Sequence, residues 1–200
     1  EFAAVGAFDP DAVKTALGKS LDGWKKAPAY IRIPDPYHAV APKDFKIDTP
    51  DKANAFYLAD LPIKLQDTDP DFPALYVANY LLGGSETSRL WNRIRVKEGL
   101  SYDVRSSLNA SSYEPSGDWS IYAIQAPQNS HRLQTAVQEE LARALRDGFS
   151  ADEVREGIAA LLSYRKLARA QDNVLAGAWI NYMQQGRTFA WSAKIDQALS

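Results

Sequence analysis

Two strand-like runs, residues 101–113 and 117–126, lie almost end to end, joined through Glu114-Pro115-Ser116-Gly117. No other stretch restricts the fold as much. Proline and glycine at the join favour a hairpin with a loop of about four residues, so the two runs should pair antiparallel. Along the second run Trp119, Ile121 and Ala123 alternate with Ser120, Tyr122 and Ile124. Neither face is strongly polar, which predicts a sheet covered on both sides there. Residues 53–61 read as a further strand. Helical patterning flanks these runs on both sides. Asp69-Pro70-Asp71 opens a helix through Phe72, Leu75, Tyr76, Asn79, Tyr80 and Leu82, and Gly83-Gly84 stops it. A second helix starts at Ser85 or Thr87, turns Leu90, Trp91 and Ile94 inward and ends at Gly99. Beyond the hairpin, Asn129 or Ser130 begins a helix with Leu133, Val137, Leu141, Ala144 and Leu145 on one face, ended by Gly148. Ser150-Ala151-Asp152-Glu153 is a capping box ahead of Val154, Ile158, Leu161, Leu162 and Leu167, and residues 172–185 form another helical run. A strand pair flanked by helix pairs predicts an α+β fold: a two-layer sandwich, mainly antiparallel sheet with helices packed on it.

The first fifty residues look different. Residues 1–8 read as a buried strand with no lead-in, and a chain that opens inside a strand is expected to be a fragment of a longer one. Asp9 and Pro10 suit a helix cap and first position, with Val13, Ala16, Leu17 and Leu21 at helical spacing behind them. Prolines 28, 34, 36, 42 and 50 then impose an extended linker over residues 27–50. The expected division is residues 1–45 as the tail of a preceding unit (strand, helix and Pro-rich linker) and residues 46–200 as the α+β domain.

Composition removes several classes of function. Twenty-three Lys and Arg against 25 Asp and Glu leave a net charge of −2, so no basic field draws in nucleic acid or an anionic membrane. There is no run of about 18 apolar residues to span a bilayer. The count of cysteines is zero, which excludes thiol catalysis, thiolate zinc sites and disulfides. A cysteine-free hydrolytic zinc site needs two histidines on one short element. His38 and His131, the two histidines present, are 93 positions apart, so no metal or other cofactor is expected in this chain. Gly83-Gly84-Ser85 lacks the lysine of a P-loop and the dinucleotide fingerprint, and reads as a helix stop and restart needing two flexible residues. The segment from Arg89 to Tyr102 is the most unusual, with Arg89, Arg93, Arg95 and Lys97 towards a helix end beside an exposed-looking Glu98. Attraction of cations to the helix macrodipole, about 0.3–1 kcal/mol each, accounts for it by composition alone.

The ordered motifs carry a resemblance. Leu82-Gly83-Gly84-Ser85-x-x-Ser88-Arg89-Leu90, then Ile94-Arg95-x-Lys97-Glu98-Gly99-Leu100-x-Tyr102, closely resembles the zinc-free homologous domain of the pitrilysin/insulinase family of zinc metallopeptidases, those with the inverted H-x-x-E-H motif. Gly148-Phe149-Ser150-x-x-Glu153, the stretch from Tyr164 to Asp172, Leu175-Ala176 and Gly186-Arg187-Thr188 resemble it too, and Val5-Gly6-Ala7-Phe8-Asp9 resembles the strand-to-helix step that ends the preceding unit. The likeness covers nearly the whole chain. It implies one of two halves enclosing a chamber, one half carrying zinc and the other closing over the substrate. In active members the zinc-free half contributes an arginine and, seven residues on, a tyrosine, which reach the bound peptide near the metal. Arg95 and Tyr102 match that spacing. The resemblance therefore implies a substrate-binding, closing half that is not catalytic alone, with zinc in a part N-terminal to this chain. Its implied partners are that zinc-bearing half or a partner subunit, and a peptide substrate. The alternative is a non-enzymatic structural or partner subunit of the same family. Trp179, Tyr182 and Trp191 are candidates for an uncovered interface through which the isolated fragment self-associates. The compartment stays open, with the periplasm as the working expectation.

Overall fold

The computed structural model describes residues 2–25 and 27–200. Strand β1 (Ala55–Ile63) precedes helix α2 (Phe72–Leu82), with α1 (Pro10–Ser20) far upstream. A π-helix (Trp91–Lys97) leads into β2 (Ser101–Ala110), and β3 (Gly117–Gln125) returns beside it. Four helices finish the chain: α3 (Ser130–Asp147), α4 (Ala151–Ala168), α5 (Asp172–Gln184) and α6 (Phe189–Ala198). The three strands form one antiparallel sheet in the order β1-β3-β2. The fold is thus α+β, with helices against an antiparallel sheet, as the hairpin and its flanking helices predicted.

Ala110 pairs with Gly117, so the hairpin loop runs over six residues instead of four. Ser111 leaves β2 because the segment before α2 takes it: it bridges Gln66 in parallel and its carbonyl accepts from the Asp67 amide at 3.0 Å. One sheet face is the core. Val104, Ile121 and Ala123 meet Leu133, Ala136 and Val137 of α3 and Leu90, Trp91 and Ile94 of the segment before β2. Each fully buried large apolar side chain there contributes about 1.5–3 kcal/mol. Among the described residues the opposite face is left largely uncovered, contrary to the expectation drawn from β3. Phe56 is 63% exposed, Leu58 59% and Ile124 43%. Other helices gather elsewhere: Val77 of α2, Leu161 of α4 and Ile195 of α6 form a second apolar cluster. Leu145 and Leu167 also stay exposed; six positions past Leu161, Leu167 falls on the side of α4 turned away from its buried stripe.

The capping box before α4 forms in both directions, Ser150 Oγ accepting from the Glu153 amide and the Glu153 carboxylate from the Ser150 amide. At the other end of the chain, Asp9 caps α1 by accepting from the Asp11 and Ala12 amides, with Pro10 in the first turn. Residues 2–8, however, are not a buried strand. No strand pairs with them, and Phe2 and Phe8 are exposed. An apolar run becomes a strand only beside a ladder partner, and this chain's sheet lies elsewhere. Among the described residues none before Ala55 is buried. This arm touches the domain at the hairpin loop, where Arg32 pairs with Glu114 through both guanidinium nitrogens, the Asp35 amide donates to Glu114 at 2.8 Å, and the Arg32 guanidinium lies 4.7 Å from the Tyr113 ring centroid.

Candidate functional site

Between α2 and β2 the backbone departs twice from regular geometry, once at each of the two residues singled out by their spacing. The helix there is wound as a π-helix, the Glu98 amide donating to the Arg93 carbonyl five residues back at 3.0 Å. Such turns are uncommon and concentrate at functional sites. Gly99, at φ +60°, then reverses the chain, and the Leu100 amide closes the turn on the Ile94 carbonyl at 2.8 Å. At the start of β2 the pairing slips: Ser101 faces Gln125 but Asp103 faces Ile124, which makes Tyr102 the extra residue of a β-bulge. Ser101 and Val104 are both buried three positions apart, which strict alternation forbids. The bulge supplies the change of parity and leaves Tyr102 and Asp103 both directed away from the core.

The Gly83-Gly84 pair has a different cause from the flexibility expected of it. Neither glycine has a positive φ. A Cβ on Gly83 would lie 2.6 Å from Ser106 Oγ and 2.8 Å from the Ser106 amide nitrogen, which donates to the Gly83 carbonyl. Gly83 is needed for close approach, so that the end of α2 docks on β2 and sets the start of the site segment, while a Cβ on Gly84 would lie 2.9 Å from the Tyr80 Cα.

These departures bring Arg95 and Tyr102 together. The Arg95 guanidinium carbon stands 4.4 Å from the Tyr102 ring centroid and 4.3 Å from that of Trp91. Arg105, from the next part of β2, lies 4.4 Å from the same Trp91 ring. Trp91 is buried, Arg95 is half-buried, and Tyr102 is 79% exposed. The four cations of the segment are therefore not one patch drawn to a helix end. Arg89 forks onto both oxygens of Glu153 at 2.8 Å, and Arg93 holds Glu98, Glu139 and Glu140, which also takes Glu98 out of free solvent. Arg105 is held by Asp103 and Glu86, and the Tyr122 hydroxyl donates to Asp103 at 3.2 Å. Burial raises the Tyr122 pKa above the ordinary tyrosine value, helped by the Asp103 charge and that hydrogen bond. Among the described residues, Arg95 has neither a carboxylate nor a hydrogen-bond acceptor from the protein. Two rings lie against its guanidinium, while its N–H groups find no acceptor among the described residues. A guanidinium so placed can donate to a peptide carbonyl or carboxylate in a fixed plane, and a neighbouring phenol can donate to an oxyanion.

No comparable case exists for a metal. His38 and His131 are both exposed, and among the described residues no group of three His, Asp or Glu side chains is arranged to hold an ion. Among the described residues no donor set fits zinc. Nor, among the described residues, is any helix long and apolar enough to cross a membrane.

The family profile described as the peptidase M16 inactive domain matches residues 1–161. The chain belongs to that family. A Bacillus subtilis relative described as the uncharacterized zinc protease YmxG is 41% identical over 80 residues, 40% of this chain and 19% of its own length. A Helicobacter pylori relative described as the non-peptidase homolog YmxG is 32% identical over 110 residues, 54% of this chain and 25% of its own. The matched stretch thus spans a fifth to a quarter of these relatives. Among solved structures, a protease from Helicobacter pylori superposes with a TM-score of 0.70 at 17% identity, over 98% of this chain and 47% of that one. The peptidase M16 inactive domain from Pseudomonas fluorescens gives 0.60 at 21% identity, over 73% and 34%. At such identities these two superpositions speak to the fold alone. As an M16 inactive domain the chain is the inactive type of unit in a zinc-protease family, and the Arg95–Tyr102 pair stands at its π-turn and β-bulge. The spacing of seven was legible beforehand. Trp91 as the second wall around Arg95 was not, although an aromatic four positions ahead on the same helical turn was the available signal.

Proposed function

We propose that this chain is the substrate-holding, closing half of a peptide-degrading zinc metallopeptidase, inert alone. In this reading Arg95 donates to a carbonyl of the bound peptide and the Tyr102 hydroxyl stabilises the oxyanion formed at the scissile carbonyl. Zinc, which would supply the activated water, sits on a preceding half that residues 1–45 help to join. The observation that carries the reading is the Arg95 guanidinium, in contact with two rings yet with no acceptor of its own among the described residues. A purely structural arginine would be paired, as Arg89 and Arg93 are. The uncovered sheet face, with Phe56, Leu58 and Ile124 exposed, is consistent with a domain whose partner half or substrate lies opposite.

A second reading has one specific observation behind it: a relative 32% identical over 110 residues is described as a non-peptidase homolog. In that reading the chain belongs to a non-enzymatic partner subunit, and the Arg95 site serves binding only. Turnover of fluorescein-labelled β-casein by the full-length protein separates the two. The closing-half reading expects chelator-sensitive cleavage, a drop of about 10²–10³ in kcat for Tyr102→Phe, and a loss of kcat/KM for Arg95→Ala. Unchanged turnover in both variants overturns it. A wild-type protein that binds the casein without cleaving it establishes the partner-subunit reading.

A further inference from the structure

We infer that Trp91 is a positioning residue for Arg95: its ring, with that of Tyr102, lies against the guanidinium and so fixes the direction in which its N–H groups meet the peptide. The inference rests on the reading of Arg95 given above and extends it to a residue that touches no substrate.

The geometry separates the two walls. Tyr102 is 79% exposed and comes from a bulge at a strand start, so its ring is not held by the core. Trp91 is 7% exposed and packs in the main core cluster, so its ring is fixed by the fold. It lies four positions before Arg95 within the same π-helix, and the side chains of such a pair ride on one side of the turn. Arg105 makes the arrangement firmer. Its guanidinium also lies against the Trp91 ring at 4.4 Å, but its own N–H groups are taken by Asp103 at 3.1 Å and Glu86 at 3.2 Å. One indole thus contacts two cations, one of which is neutralised by the protein while the other is left for a ligand. The face of an indole attracts a cation more strongly than any other side-chain ring. A guanidinium stacked on it keeps its in-plane donors free, whereas a carboxylate partner would have consumed them. Trp91 therefore does for Arg95 what an ion pair does for Arg89 and Arg93, without occupying the groups that would bind substrate.

The test is a double-mutant cycle in the full-length protein with fluorescein-labelled β-casein, read as kcat/KM, or as Kd by fluorescence anisotropy where there is no turnover. Trp91→Leu should weaken the reading by about 5- to 30-fold, mostly through KM, the worth of one desolvated guanidinium–indole contact. Trp91→Phe, which keeps a ring face, should recover most of that. In an Arg95→Ala background, Trp91→Leu should change the result by less than about 2-fold, because there is no guanidinium left to position. A general folding defect would give the same loss in both backgrounds. That outcome overturns the inference, as does a Trp91→Leu protein indistinguishable from wild type. If Arg95→Ala itself has no effect, the role given to Arg95 fails and this inference with it; if Arg95→Ala is costly while Trp91 does not couple to it, only the role given to Trp91 falls.

Discussion

Replacing Glu153 by glutamine should destabilise the domain at neutral pH, and the loss should disappear in acid. Glu153 has two duties in the structure: its carboxylate closes the capping box at the start of α4, and both its oxygens receive the Arg89 fork at 2.8 Å. Arg89 also donates to the Gly148 carbonyl at 2.9 Å and lies 4.4 Å from the Phe149 ring centroid, with its side chain 11% exposed. Chiefly through the Arg89 hydrogen bonds, opposed by burial and aided by the Ser150 amide, the Glu153 carboxyl is held down from its ordinary 4.5 to about 2. At about 1.36 kcal/mol per pH unit that interval corresponds to roughly 3.4 kcal/mol. The Glu153 side chain is 37% exposed, however, and solvent screening reduces the realised value to about 1–2 kcal/mol. The folded pKa is the lower one, so this stability is complete above pH 4.5 and is lost as the pH falls through about 2. Glutamine retains a carbonyl oxygen for the cap but leaves the Arg89 charge without its counter-ion. Urea titration of the full-length protein and its Glu153→Gln variant should show a deficit of about 1–2 kcal/mol at pH 7, with Tm lower by about 2–4 °C per kcal/mol. The deficit should shrink steadily between pH 4.5 and pH 2. A deficit of the same size at pH 7 and pH 3 would refute the electrostatic account and leave only the cap.

Gly83→Ala should cost about 1–3 kcal/mol in the same urea assay, since the new methyl meets the β2 backbone at Ser106 and cannot be relieved by a rotamer change. An unchanged midpoint would show that α2 and β2 can part without loss. Leu133→Ala, which empties a fully buried position beneath the sheet, should cost about 2–5 kcal/mol, and a value under about 1 kcal/mol would mean that α3 is not seated as described. Glu114→Ala should free the proline-rich segment from the hairpin loop and speed tryptic cleavage at Arg32 and Lys43. The Arg32 hydrogen bonds hold the Glu114 carboxyl below its ordinary range, so acid should loosen the wild-type segment in the same way. Cleavage at equal rates in the variant and the wild type would show that the segment is held by other means.

Local chemistry made much of this architecture readable in advance. The α4 capping box, the Asp9 cap and the apolar stripes of α2 and α3 depend on residues a few positions apart, and such contacts form largely regardless of what surrounds them. The seven-residue interval between Arg95 and Tyr102 was equally plain, because it is a property of the chain. What could not be read was whatever depends on a distant partner. Residues 2–8 have the pattern of a strand but no strand beside them, and β3 is apolar on both faces yet buried on one, because pairing and coverage are decided by neighbours and not by hydropathy. The use of Gly83 follows from Ser106, more than twenty positions away. Arg95 meets Tyr102 and Trp91 only because an extra residue is absorbed in a π-turn and another in a bulge, each permitted by hydrogen bonds to fixed backbone. Spacing counts residues along the chain. Only the folded backbone converts that count into a direction, and one residue more in a helix turn or a strand redirects every side chain that follows.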